Sequence, residues 1–403
     1  MGRVVLHVGA GKCGSTSLQQ TLARDEWRHG GRNGVPFQYL RWRADGSISP
    51  VSRVASSSLM GYEYSEFQLT TLVDRSPAQI DSTVRALELA SRHRPVVLSN
   101  EGWHSEALVL SSDAESVRRC RRLLSAGSLD VEAVLYVRPQ AAWLESFYLQ
   151  FGIWSGGTIE AHVRGMRSGR EGFWAARVEA LQRLGFGSVS VRYVSDVTHD
   201  FVGTVLGVPA SHPALQSMPV SNLRVSLDLL LLMLDDPTLR PSMHAPQVEF
   251  LVERVAAEWK LPHRPIPPLL GEDVIEQITE TYADDNSVLA TLLPPDQAAA
   301  FERDRLAFAA SRAGAPTVSI EELRLLPRDE AYARALVAGA LDEVMRQRFG
   351  TGLPGYDAGS NVEVSGAEAT LLHRLRTQRL VLGLLPPGSA RAQMVARLVS
   401  RFD

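Results

Sequence analysis

The passage that most limits what this chain can fold into lies almost at its start: VVLHVGAGKCGSTSLQQTL, residues 4–22. An apolar run enters a loop carrying glycines at 9, 11 and 14, one lysine and several small hydroxyls, and leaves it in a helical pattern. A strand that turns directly into a helix calls for a parallel neighbour to return to, because the helix packs back over its own sheet. Three more β-rich runs can supply neighbours to the first, RVVLHV (3–8): PVVLS (95–99), VEAVLYV (131–137) and SVSVRYV (188–194). Helical periodicity fills the gaps, as in AAWLESFYLQFGIW (141–154) and GFWAARVEALQRLG (172–185). Near-continuous apolar strands alternating with helices imply a parallel sheet covered on both faces. The expected fold class is α/β, a three-layer parallel sheet flanked by helices, with a helical C-terminal extension.

The loop is an anion cradle by composition. Gly9, Gly11 and Gly14 permit tight turns and close backbone approach, and the first N–H groups of the helix, with its dipole, favour negative charge. Ser15, Thr16 and Ser17 add hydroxyls, and Lys12 adds a charge. Of 42 basic residues only Lys12 and Lys260 are lysines. A chain that otherwise uses arginine has placed here the compact cation that can sit against one bridging oxygen. The order is not that of a Walker A loop, where the lysine follows the last glycine and precedes the Mg²⁺-holding hydroxyl. Here it runs Lys12, Cys13, Gly14, Ser15, Thr16, and VVLSNE only weakly imitates a strand ending in an acidic metal partner. An ATP-dependent small-molecule kinase on a related fold, and a glycine turn with no ligand, stay open as alternatives.

Bulk properties narrow the partners. A net charge of −3 gives no global basic field for nucleic acid or anionic membrane, so any anion site is local. RRCRR (118–122) reads as a solvated helix face rather than a nucleic-acid patch. The two cysteines, Cys13 and Cys120, cannot build a disulfide framework or a cysteine-rich metal site and fit a reducing compartment. The longest apolar run, LDLLLLML (227–234), is far shorter than the ~20 residues of a membrane span. With no signal peptide evident before Val4, the expected location is cytoplasmic.

The order K-x-G-[ST]-[ST] after a strand resembles the 5′-phosphosulfate loop of the PAPS-dependent sulfotransferases, where PAPS is 3′-phosphoadenosine 5′-phosphosulfate. The whole stretch looks most like the bacterial members. A second passage strengthens the resemblance: in VEAVLYVRPQAAWLESFYLQ, Arg138 closes a strand and Ser146 follows eight residues on, the separation that family uses at the 3′-phosphate. The physics agrees, since a phosphate dianion needs a fork of donors that arginine supplies bidentately. Softer similarities in VSVRYVSDVTHDFVGTVLGV, SNLRVSLDLLLL and ETYADDNSVLATLL extend the resemblance over about residues 1–310.

The resemblance implies a P-loop-like fold and in-line, metal-independent transfer of the sulfuryl group of PAPS to a hydroxyl of a glycan or natural-product acceptor, leaving PAP. On that reading Gly11, Lys12, Cys13, Gly14, Ser15, Thr16 and Ser17, with Arg138 and Ser146, hold PAPS, and Lys12 stabilises the leaving phosphate. The base is Glu101 or His104 in VVLSNEGWHSE. Glu101 is favoured, because it stands just past a strand's carboxyl end, where open α/β sheets place their ligands. Its bland alternative is a carboxylate that merely suits a helix N-terminus; that of His104 is a surface helix residue. A non-catalytic PAP-binding module would keep Arg138 and the loop without depending on Glu101.

His7 reads as a satisfied core histidine. Cys13, between Lys12 and a helix N-terminus, could be acidified, but reads first as a small residue that fits the loop. Acceptor contacts are expected from 36–70, 102–110 and 151–162, with Trp103, Trp154 and Trp174 as either stacking platforms or core. Residues 30–80 read as loops plus one or two helices over the sheet edge. The chain divides into an α/β core (1–220), a helical part completing the domain (221–315) and a helical extension (316–403) whose helices could join copies into a homo-oligomer.

Overall fold

The computed structural model describes residues 2–23, 37–51, 65–124, 129–212, 215, 225–235, 263–329 and 332. Six strands, β1 Gly2–His7, β2 Gln38–Trp42, β3 Ile48–Pro50, β4 Val96–Ser99, β5 Leu129–Tyr136 and β6 Ser188–Arg192, form one sheet in the order β3-β2-β4-β1-β5-β6. All neighbours are parallel except β2 and β3. The three central strands are buried almost end to end, with Val5, Val97 and Ala133 fully enclosed, as a sheet covered on both faces requires.

Helix α1, Ser15–Leu22, leaves the glycine loop. Helix α2, Pro77–Ser91, starts at a capping box in which Ser76 and Gln79 satisfy each other's backbone N–H groups, with proline in the first turn. Then come α3 Trp103–Leu110, α4 Ala114–Leu124, α5 Gln140–Gln150, α6 Ile159–Ser168 and α7 Trp174–Leu184. The helical part holds α8 Leu227–Asp235, α9 Glu272–Thr281, α10 Ala283–Leu292 and α11 Pro295–Ala310, and α12 Ile320–Leu325 lies at the start of the extension. The passage 246–260 and the helical patterns after 332 lie outside the described residues.

Two readings of the sequence need correction. Residues 30–80 contribute β2 and β3 to the sheet itself, beside a 3₁₀ turn at Leu69–Asp74 and the start of α2. The run 272–292 is two helices, broken at Tyr282, whose hydroxyl donates to the Glu171 carbonyl at 2.7 Å. That break matters for the core. Just beyond it, the Asp285 carboxylate accepts from the Ala175 and Ala176 amides and caps α7. Gln297 on α11 accepts from the Tyr193 amide at the end of β6. The helical part is thus hydrogen-bonded into the α/β core.

Candidate anion-binding and catalytic site

β1, β4 and β5 are adjacent and parallel, so the loop after His7, the turn after Ser99 and Arg138 emerge at one end of the sheet. Chain order reverses there: β4 lies on one side of β1 and β5 on the other, the arrangement that opens a ligand crevice.

The loop's shape follows from three left-handed residues, Gly9 (φ 67°), Lys12 (φ 67°) and Gly14 (φ 85°). Alternating handedness turns successive N–H groups inward and makes a concave anion seat, which leads into the N-terminus of α1. Glycine is required at 9, where a Cβ would come within 2.8 Å of Glu101 Cα. The loop is held from below. Cys13 N–H donates to the Ala10 carbonyl at 3.1 Å, and Trp143 Nε1 donates to the Gly11 carbonyl at 2.8 Å. Ser15 is buried and its hydroxyl donates to the Ala10 carbonyl at 3.2 Å. That hydroxyl braces the loop; what Ser15 offers an anion is its backbone N–H. Thr16 and Ser17 are half-buried on the first turn of α1.

Arg138 is half-buried, its Nη1 3.4 Å from the Lys12 carbonyl, and its own carbonyl accepts from Trp174 Nε1 at 2.9 Å. Its charge reaches the loop, where it counters the rise in the Cys13 thiol. Ser146 is half-buried on the next helix. Burial dominates at Cys13 and pushes its thiol up to about 12, so the acidified thiol considered from the sequence is not formed.

Glu101 stands directly over the loop. A Cβ on Gly11 would lie 3.4 Å from Glu101 Oε2 and 3.9 Å from Phe147 Cε2, so carboxylate and ring flank the same glycine. Burial pushes the Glu101 carboxyl above its usual range, and the Lys12 charge pulls it partly back. A carboxylate so placed is primed to accept a proton.

His104 is set apart from this mouth. It is buried, its ring tilted against Trp174 at 6.5 Å, and burial together with Arg177 holds it well below the ordinary imidazole value. His7 is fully enclosed under the loop, bonded through Nδ1 to Ser99 Oγ at 2.8 Å, while Gln19 Nε2 donates to the same oxygen at 2.9 Å. Burial lowers its pKa to about 3, so it is a neutral core histidine. Trp103 and Trp174 are fully buried and spend their indole N–H groups on the Phe67 and Arg138 carbonyls, which removes them as acceptor platforms. Trp154 is half-buried.

Sequence reasoning missed Trp143 and Phe147, which brace or flank the loop from a helix far along the chain, and Tyr193. The last follows β6, donates from its hydroxyl to Asp304 at 2.6 Å, and feels the Arg138 charge. Its only sequence signal was its position at a strand end.

Among the described residues no group of three or more His, Cys, Asp or Glu side chains could hold a metal ion, and no helix is long and apolar enough to cross a membrane. Comparison of the chain with models of protein families, with curated proteins and with solved structures finds no match.

Proposed function

We propose that this chain is a PAPS-dependent sulfotransferase on a P-loop-like core. One observation carries the reading: the ends of three adjacent parallel strands bring an anion seat with its lysine, an arginine and a partly desolvated carboxylate to one crevice. Such a set suits a donor with two anionic ends and an acceptor that must lose a proton. The donor supplies an activated sulfuryl group; the chain supplies positions and charges.

The N–H groups of Lys12 and of Gly14 to Ser17, with the α1 dipole, hold the 5′-phosphate. Lys12 neutralises charge gathering on the bridging oxygen as the S–O bond to the phosphate breaks. Arg138, with Ser146 on α5, holds the 3′-phosphate. Glu101 takes the acceptor's proton as its oxygen bonds to sulfur, and its raised affinity for protons makes that transfer less uphill. The acceptor is a hydroxyl of a glycan or natural product, brought in beside Phe147.

The test is thermal unfolding with PAP, and in parallel with ATP plus Mg²⁺, followed by transfer from PAPS to a panel of sugars and phenols. At ~100 times its Kd, PAP adds about 2.7 kcal/mol, a rise of several degrees. A Mg²⁺-independent rise that is lost in Lys12→Ala and Arg138→Ala, with sulfated product, supports the reading. A response only to ATP with Mg²⁺ overturns it in favour of a kinase.

A further inference from the structure

His104 was a candidate base by sequence; its surroundings give it other work. Arg177 is completely buried in α7, and its guanidinium is held by the Glu171 carboxylate on one side. On the other, Arg177 Nη1 donates to Ser105 Oγ at 3.0 Å. Ser105 Oγ lies 3.4 Å from His104 Nε2. The backbone carbonyls of Glu101 and Val8 lie against the His104 ring, neither in a fully aligned hydrogen bond.

One arrangement of protons satisfies this whole chain of contacts. A guanidinium only donates, so Ser105 accepts from Arg177 and keeps its own hydrogen to offer His104 Nε2. A ring that accepts at Nε2 carries its proton at Nδ1, and that N–H is the one donor it can offer the two carbonyls. Burial, and the repulsion a second cation would meet beside Arg177, keep the imidazole neutral. Val8 follows β1 and begins the glycine loop, while Glu101 follows β4. The histidine therefore touches the backbone of both segments whose side chains meet at Gly11.

We infer that Arg177, Ser105 and His104 form a buried positioning relay that fixes the turn carrying Glu101 against the end of β1, so that the carboxylate stays over the loop. The relay makes no contact with the crevice and is not itself catalytic. Its far end is anchored through Glu171, whose carbonyl accepts from Tyr282 between α9 and α10, so the helical part reaches the turn through four side chains. The consequence for turnover rests on the sulfotransferase reading; the mechanical role does not.

Two measurements separate them. Ser105→Ala removes the hydroxyl and Ser105→Thr restores one; His104→Leu removes the Nδ1 donor and His104→Asn keeps an N–H in its place. Arg177 is left intact, because its loss would strand Glu171 and confuse folding with positioning. Amide exchange of residues 100–103 should quicken in Ser105→Ala and His104→Leu and return toward the parent rate in Ser105→Thr and His104→Asn. Transfer from PAPS to the acceptor panel should lose about tenfold in kcat in the first pair, with PAP affinity unchanged, since a displacement of ~1 Å costs up to 10²-fold. Unchanged exchange in Ser105→Ala and His104→Leu overturns the relay. Faster exchange with unchanged kcat overturns its role in turnover. A parent protein that transfers no sulfuryl group overturns the functional reading, and the exchange data still decide the relay.

Discussion

At the amino-terminal end of the sheet, Arg3 donates to Glu132 at 2.8 Å and to the Val205 carbonyl at 2.9 Å, with both side chains partly open to water. At the carboxyl end, the charges of Lys12, Arg138 and Glu101 all reach the buried Cys13 thiol, Glu101 resists ionisation, and the buried polar groups beneath, His7, Ser99 and Gln19, bond mainly to one another. The first end pairs charges in the open and asks little of them. The second gathers charge where water is scarce, so each group's protonation and position carry weight. One sheet thus keeps one end whose charges pair in the open and another whose charges shift the groups buried beside them.

The sharpest way to break that contrast is Glu101→Gln. Transfer should fall by about 10²- to 10⁴-fold, while the melting temperature rises. The sign follows from the raised carboxyl: its proton stabilises the fold at acid pH, and that contribution is lost as pH rises through the elevated pKa. The amide escapes that loss, so the gain in Tm should be present at pH 8 and gone near pH 4. Next in size, Lys12→Ala or Arg138→Ala should weaken PAP by about 10- to 100-fold, read by calorimetry, because each removes a charged donor to phosphate.

His7 probes the layer below. Its pKa falls from an ordinary 6.5 to about 3, so between those values only the unfolded chain takes up the proton. Stability is full above pH 6.5 and is lost as pH falls. His7→Asn, which can still meet Ser99, should flatten the decline in Tm between pH 7 and pH 5. The smallest effect belongs to the other end: Glu132→Gln should change stability by no more than about 1 kcal/mol and leave PAP binding untouched. A large effect there would erase the comparison.

Which parts were legible follows the same physics. β1, β4 and β5 announce themselves by their apolar residues and β6 by its alternating valines, and the loop, Arg138 and Glu101 are legible because strand ends are local in sequence. β2 and β3 are not. QYLRW carries Gln38 and Arg41 among its apolar residues, and ISP is three residues ending in Pro50, tolerable because β3 is an edge strand paired on one side only. The bracing was also hidden. Trp143 meets the Gly11 carbonyl across 132 positions of sequence, and nothing in either neighbourhood specifies the other. Ser15 and His104 were legible as residues but not as orientations: one hydroxyl turned into the loop, one ring turned into the core.

Lys12 holds a left-handed backbone that glycine adopts freely and a side chain adopts at a cost of about 1 kcal/mol. Lys12→Gly is therefore a substitution that relaxes the chain while removing the charge on which the proposed chemistry turns. A laboratory selection for heat resistance alone has no reason to keep the lysine, and survivors that had lost it would lack that charge. Any effort to stabilise this protein has to score ligand binding in the same round, because at position 12 the most comfortable residue and the useful one are different.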